Sequence, residues 1–232
     1  MASNTQKVYD QAAVTYDGEP NSVLFTETST VLGMLDLRKE DALLDAACGT
    51  GKYVQAALKA GAACAGLDFS GEMLARAAGK CPGARFIKQD LMSLPLPFAD
   101  GAFTKIVLAH ALWHLAGIDA LFAEFARLLR PGGRLVVSVT HPEAAFKRFA
   151  YQAEDCPGGE EIDISKEKCR YSFAEIGTAT KAAGLALAAA ETITVDERLR
   201  AVLTPASYAQ VEGTPLILAA RFDKKISTGS AA

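Results

Sequence analysis

The chain reads as an α/β protein built on a parallel sheet, and three features of the sequence lead there. Between residues 42 and 139, short apolar runs alternate with segments of helical composition, the order expected of βαβ units. The runs are apolar on consecutive residues, as strands covered on both faces are. The first run leads into the glycine pair Gly49 and Gly51, a turn that lets backbone approach a ligand closely. Right-handed crossovers then put ligands at the carboxyl ends of the strands, beside a topological switch point.

Each element has a local reason. Residues 42–47 (ALLDAA) read as a buried strand, and 53–60 as a helix closed by Gly61. A second strand, 62–67, is followed at once by Asp68. Ser70 can cap a helix over 71–78, with Glu72 in the first turn where a negative charge suits the dipole. Residues 85–88 and 105–109 are the third and fourth strands. The helix at 118–129 is strongly periodic: Leu121, Phe122, Phe125, Leu128 and Leu129 share a face, with Asp119, Glu124 and Arg127 off it. Pro131-Gly132-Gly133 stops that helix before a fifth strand at 134–139. Ser172 caps a helix to residue 183, and runs at 187–195 and 216–222 close the fold. Residues 1–36, helical over 22–35, and the polar stretch 140–171 fall outside the alternation and are candidate lids. The whole reads as a single domain over 1–223, with a small, polar, disordered tail at 224–232.

Composition bounds the function. Half of the 232 residues are hydrophobic and 22% are charged, which suits a globular chain and excludes general disorder. A formal charge of −3 offers nothing to draw in a phosphate backbone or an anionic membrane, so nucleic acid and membrane are not expected partners. The five cysteines (Cys48, Cys64, Cys81, Cys156 and Cys169) are odd in number and form no C-x-x-C pair. They read as buried thiols in a reducing compartment. The N-terminus has no apolar core of a secretory signal, and the longest apolar run, 182–190, falls far short of a bilayer span. A cytoplasmic protein is expected.

The loop Asp45-Ala46-Ala47-Cys48-Gly49-Thr50-Gly51 lies between a strand and a helix, where the helix N-terminus favours an anionic group. Mononucleotide, dinucleotide and adenosyl ligands all use such a loop. Lys52-Tyr53-Val54 follows Gly51, so the third glycine of G-x-G-x-x-G is missing and a dinucleotide pyrophosphate fits poorly. The ATP or GTP loop G-x-x-x-x-G-K-[ST] is absent as well. Asp68, ending the second strand, is placed to accept both hydroxyls of a ribose.

With these residues in view, the sequence resembles the class I S-adenosylmethionine-dependent methyltransferases, in the small-molecule branch that includes the ubiquinone and menaquinone biosynthesis enzymes. The resemblance runs from about Tyr9 to Phe222. It rests on the 45–51 loop, Gly66-Leu67-Asp68-Phe69-Ser70, Gln89-Asp90-Leu91, Leu94-Pro95-Leu96-Pro97-Phe98 and Leu128-Leu129-Arg130-Pro131-Gly132-Gly133, with Tyr9-Asp10 and Tyr16-Asp17 resembling the branch's opening helix. It implies a Rossmann-like three-layer sandwich: a seven-stranded, mostly parallel sheet with an antiparallel last strand. It also implies S-adenosyl-L-methionine as cofactor. Gly49 and Gly51, with Ala46 and Ala47, would pass under the methionine moiety and Asp45 would hold its ammonium. Asp68 would take the ribose, Asp90 the adenine amino group, and Leu91 would offer its backbone N–H to the ring. Phe69 and Met73 would pack on the adenine, Tyr16 would close over the methionine end, and Ala109 would line the sulfonium side. Taken singly, Phe69, Met73 and Cys48 read better as packing residues.

Methyl transfer to an O–H or N–H acceptor must also remove a proton. The chain holds three histidines, and all fall after the fourth and fifth strands: His110, His114 and His141. His110 is the first candidate for a proton acceptor. His141, beside Glu143, is the second, while His114 in the apolar turn 112–115 is expected to pack or to bond backbone. The i, i+4 spacing of His110 and His114 invites a zinc reading, but H-E-x-x-H is absent and no metal is expected. No Asn-Pro-Pro-Tyr follows the fourth strand, which argues against amide- or base-directed methylation. The expected acceptor is a small molecule, and Phe146, Phe149, Tyr151 and Tyr171 hint at an aromatic or partly apolar one, walled by 1–36, 140–171 and 197–213. A rival from another class is a cofactor-binding protein of the same fold with lost or altered chemistry.

Overall fold

The computed structural model describes residues 3–17, 22–141, 171–201 and 204–226, with the backbone alone at 22–25 and 201. Seven strands form one sheet in the order β3-β2-β1-β4-β5-β7-β6. In chain order the elements are α1 (Asn4–Ala12), α2 (Ser22–Leu35), β1 (Ala42–Ala46), α3 (Lys52–Lys59), β2 (Ala63–Asp68), α4 (Gly71–Lys80), β3 (Arg85–Lys88) and β4 (Phe103–Ala109). They continue with α5 (Ile118–Leu128), β5 (Leu129–Thr140), α6 (Phe173–Ala182), β6 (Leu185–Thr194), α7 (Pro205–Val211) and β7 (Pro215–Lys224). The pairs β1–β2, β1–β4, β2–β3 and β4–β5 are parallel, and β7 runs antiparallel to both β5 and β6. This is the Rossmann-like sandwich that the resemblance implied.

The apolar runs are continuous because each strand feeds two cores. Leu44, Ile106, Leu108, Leu135, Val137 and Phe222 pack with α5 and α6 on one face. The intervening Leu43, Val107, Val136 and Ile217 pack with Val31 and Leu35 of α2 and with Tyr53 and Ala57 of α3. Side chains alternate across a strand, so Asp45, Ala109 and Ser138, two residues beyond Leu43, Val107 and Val136, belong to the α2–α3 face. That parity decides the polar chemistry described below.

Local signals act as read. Ser70 Oγ accepts the Met73 N–H at 3.1 Å to cap α4. Ser172 and Glu175 form a reciprocal capping box at α6. Phe122, Phe125, Leu121 and Leu128 are fully buried along one stripe of α5.

Three expectations need correction. Glu124, read as off the apolar face, is buried: it accepts the Leu96 N–H at 2.6 Å and a forked pair of bonds from Arg127, so its charge is neutralised from its own helix. The fifth strand begins at Leu129, immediately after α5, because Leu129 pairs with Phe103; Pro131-Gly132-Gly133 makes an irregular turn inside it before regular pairing resumes at Arg134. Gly132 there has φ 76°, and a Cβ on Gly133 would lie 2.8 Å from the Arg130 carbonyl. The strand β7 continues through Lys224, whose ammonium donates to the carbonyls of Ala126 and Leu129 at the end of α5, so position 224 belongs to the fold and not to a tail. The segment 197–213, expected to help wall the acceptor, holds a 3₁₀ turn over Glu197–Ala201 and α7, with Leu199, Tyr208 and Val211 in the α2–α3 core. The candidate lid at 142–170 and the tail beyond 226 lie outside the described residues, with Glu143, Phe146, Phe149, Tyr151, Cys156 and Cys169.

Gly66 gives the fold a direct test. A Cβ there would lie 2.7 Å from the Phe86 ring and 2.8 Å from Cys48 Sγ, behind the glycine loop. Gly66→Ala is expected to lower stability by roughly 1–3 kcal/mol, as overpacking does, read as a lower midpoint in urea unfolding.

Candidate functional site

The site lies at the carboxyl ends of β1, β2 and β4, where β1 passes from its β2 neighbour to its β4 neighbour. The loop leaving β1 is held in left-handed backbone at Ala47 (φ 64°), Gly49 (φ 51°) and Gly51 (φ 86°). Cys48 N–H bonds the Leu67 carbonyl and Gly51 N–H the Cys48 carbonyl, both within 2.9 Å, fixing the loop against β2. A Cβ built on Gly51 would meet Ala77 at 3.1 Å, whereas one on Gly49 would meet nothing within 4 Å. Gly51 is thus required by packing against α4, and Gly49 presents backbone to open space.

Two carboxylates frame this loop. Asp68 is buried; its Oδ2 accepts from Gly49 N–H at 2.8 Å and its Oδ1 from Ser70 N–H at 2.9 Å. Each oxygen keeps a lone pair for a further donor. Burial pushes the Asp68 carboxyl up, against these backbone bonds. Asp45 is 2% exposed, and its Oδ2 is buried with no hydrogen-bond partner. Burial pushes its carboxyl up to about 7, with Asp68 and Glu27 adding repulsion and Lys52 opposing. A partnerless buried carboxylate oxygen is costly and calls for an explanation. A cationic group arriving beside the loop would supply one.

The remaining predicted residues surround this pair. Asp90 is exposed after β3 and accepts the Met92 N–H at 2.8 Å, while Leu91 is buried in the α5-side core. Phe69 is half-buried with Tyr9 edge-on at 5.8 Å, whereas Met73 is 1% exposed inside α4. Tyr16 lies 6.4 Å from Tyr9, centroid to centroid. Ala46 is buried below the loop, and Ala109 pairs with Ser138 beside the next strand end.

The N-terminal segment is fastened to the turns after β1 and β2. Asp10 accepts from Ser70 Oγ, the α4 cap, and Asp17 accepts from Thr50 Oγ1 of the glycine loop and from Lys80, both at 2.8 Å. Tyr9, Tyr16, Phe69 and His114 form a chain of ring contacts above the strand ends. His114 Nε2 lies 3.1 Å from the Tyr9 hydroxyl of α1, and its ring packs edge-on against the Tyr9 ring. The Tyr171 hydroxyl donates to the Leu115 carbonyl and accepts from Gly117 N–H, tying down the loop after β4. Among the described residues, no three His, Cys, Asp or Glu side chains gather as a metal site would need.

One residue here escaped the sequence reading. Glu27 of α2 is wholly buried on the face that parity assigned to Asp45 and Ser138. Its Oε1 accepts from the Tyr53 hydroxyl at 2.8 Å and the Lys52 ammonium at 3.2 Å, and its Oε2 lies 3.0 Å from His110 Nε2, off the line of a straight hydrogen bond. Burial alone would raise the Glu27 carboxyl, but His110, Lys52 and Ser138 together hold it at about 2. Lys52 opens α3, where a cation opposes the helix dipole; Glu27 is the compensating charge. The signal was available: Glu27 is the sole charged residue between 22 and 35. His110 has φ 52° and its N–H bonds the Ser138 carbonyl at 3.0 Å. His141 N–H bonds the Leu216 carbonyl at the end of β5.

A Rossmann-like sheet of this order, with a strained glycine loop and an acidic residue ending the second strand, defines an adenosyl- or nucleotide-binding α/β domain. The comparisons narrow the class. Residues 44–137, from β1 into β5, match the family model described as a methyltransferase domain. A demethylmenaquinone methyltransferase of Tropheryma whipplei is 31% identical over 149 residues, 62% of this chain and 62% of that one. The match thus spans under two thirds of that relative's length. An S-adenosylmethionine-dependent methyltransferase of Mesorhizobium loti superimposes with a TM-score of 0.68 at 25% identity, covering 90% of this chain and 99% of that one. A [4+2]-cyclase superimposes with a TM-score of 0.66 at 19% identity, covering 96% of each, and shows the fold alone. The chain is thus similar to methyltransferase domains over residues 44–137 and shares its fold with an S-adenosylmethionine-dependent methyltransferase over most of its length.

The two buried carboxylates predict opposite pH behaviour in the cofactor-free protein. Asp45 holds its proton longer folded than unfolded, so its contribution to stability falls as pH climbs from about 4 to about 7. Glu27 is depressed, so its contribution is present above about 4.5 and is lost as pH falls toward 2. Asp45→Asn is expected to remove the downward trend between pH 4 and 7, measured as unfolding midpoints across that range against wild type. Parallel curves for the two proteins would contradict the assignment.

Proposed function

We propose that the protein is an S-adenosylmethionine-dependent methyltransferase acting on an O, N or C atom of a small acceptor, aromatic or partly apolar. The observation that carries this reading is the partnerless Oδ2 of Asp45 beneath a glycine loop whose Gly49 faces open space. An ammonium there would complete the missing bond, and Asp68, 19 residues beyond Gly49, keeps lone pairs for ribose hydroxyls. Asp90 and the Leu91 backbone stand at the next strand end for adenine. Phe69 and Tyr16 border the same opening, and Met73 shapes it from within α4. The bound cofactor supplies an activated methyl group whose leaving thioether is neutral, so no acid is needed for departure.

The chain's own work is to position the acceptor, exclude water and take up a proton. Tyr9, Tyr16, Phe69 and His114 give a ring-lined wall suited to an aromatic acceptor. His110, buried at the end of β4, is the first proton acceptor, with His141 second. The T. whipplei relative's name, a demethylmenaquinone methyltransferase, points to a quinol-like acceptor as the first compound to assay. We read the protein as cytoplasmic: Cys48, Cys64 and Cys81 are free thiols, and no helix among the described residues is long and apolar enough to cross a membrane.

A second reading, cofactor binding with altered chemistry, draws support from the cyclase that shares the fold. Calorimetry and turnover separate the two. S-adenosylhomocysteine is expected to bind wild type at micromolar Kd. Asp68→Ala should weaken it by about 10- to 100-fold, the loss typical of hydrogen bonds to a charged group. Transfer of labelled methyl from S-adenosylmethionine to an acceptor panel then decides between enzyme and binder. If His110→Ala and His141→Ala both keep full turnover, histidine is not the base.

A further inference from the structure

The buried pair on the α2–α3 face assigns a role that neither the glycine loop nor the ring wall covers. We propose that Glu27 is a positioning residue for His110: its carboxylate orients the imidazole through Nε2 and leaves Nδ1 as the atom that takes the acceptor's proton. This rests on the methyltransferase reading and adds the atom and its partner.

The geometry supports the assignment at three points. Glu27 cannot swing away, because Tyr53 and Lys52 of α3 pin its Oε1 while Oε2 lies 3.0 Å from Nε2. The His110 backbone is equally fixed, held at φ 52° by its bond to Ser138 on β5. A left-handed non-glycine residue is strained and persists where its surroundings over-determine it, often at functional sites. The imidazole faces a strand end at which Ala109, Ser138 and Asp45 share one side of the sheet, and Nδ1 makes no hydrogen bond to a described residue. The charged and titratable groups around the pair are Lys52 and Tyr53 from α3 and Asp45 from β1.

The step balances without another reactant. The acceptor's O–H or N–H bond breaks and its proton passes to Nδ1. Its electron pair takes the methyl carbon, and the carbon–sulfur pair stays on sulfur. The imidazolium that forms lies against the Glu27 carboxylate, which offsets its charge where water cannot. A carboxylate that orients and then stabilises a histidine in this way is a known source of rate.

The test uses the full chain, histidine-labelled with ¹⁵N, with and without S-adenosylhomocysteine as the probe. The His110 ring signals are assigned by their loss in His110→Gln. The expected wild-type result is an imidazole protonated on Nε2 and bare on Nδ1 in its neutral form. In Glu27→Gln that preference should vanish, because the carboxylate that fixes the tautomer is gone. With an acceptor in hand, kcat should fall about 100-fold while KM and S-adenosylhomocysteine affinity hold, and Glu27→Gln should cost nothing further in a His110→Gln background. An unchanged His110 tautomer preference in Glu27→Gln overturns the proposal, as does a loss of cofactor affinity parallel to the loss of turnover. If Glu27→Gln does not fold, Tyr53→Phe should move the same signals in the same direction by less, and no movement overturns the proposal. Failure of S-adenosylhomocysteine to bind wild type would sink the methyltransferase reading instead, and the unliganded spectra would still report on the pair.

Discussion

A buried carboxylate without a partner is the constraint around which the strand-end site is organised. Asp45 lies at the end of the central strand, on the face that parity turns toward α2 and α3, with one oxygen unsatisfied. Keeping such a group out of water is unfavourable, and the protein accommodates it by letting the carboxyl rise to about 7. Around it stand a loop held in left-handed backbone and a second carboxylate that accepts from that loop. On the proposed reading, the unfavourable placement of Asp45 is what a cationic ligand would relieve.

The sheet makes this possible because its strands are apolar on both faces up to their carboxyl ends. Leu43 and Leu44, Val107 and Leu108, Val136 and Val137 give each core its share. Only past these pairs do Asp45, Asp68, His110 and Ser138 appear. The polar groups are therefore collected along one edge by the geometry of parallel crossovers, and the buried helices on either side keep water from their bases.

Much of this was legible in the chain because it is local. Strand and helix alternation, the Ser70 and Ser172 caps, the α5 stripe and the Gly49–Gly51 turn each follow from neighbours a few residues away. What was not legible depends on distant partners. Glu124 looked like a surface residue until Arg127 and the Leu96 backbone enclosed it. Glu27 needed Lys52, Tyr53 and His110, which join it only when α2 closes on the sheet. Its isolation in an otherwise uncharged helix was the one sequence clue. The fastening of Asp10 and Asp17 to Ser70 and Thr50 likewise became visible only once α1 met the loops.

The central claim is that Asp45 awaits a cation, and proton linkage tests it most directly. If the cofactor's ammonium pairs with Asp45, binding must draw the carboxyl into its ionised form. Near pH 6.5, below the cofactor-free value of about 7, that step releases a proton. Titration calorimetry of S-adenosylhomocysteine in two buffers of different ionisation enthalpy measures that release. Wild type should give up a fraction of one proton at pH 6.5 and progressively less toward pH 8.5, and Asp45→Asn should give up none at either. Equal proton release by wild type and Asp45→Asn would contradict the account.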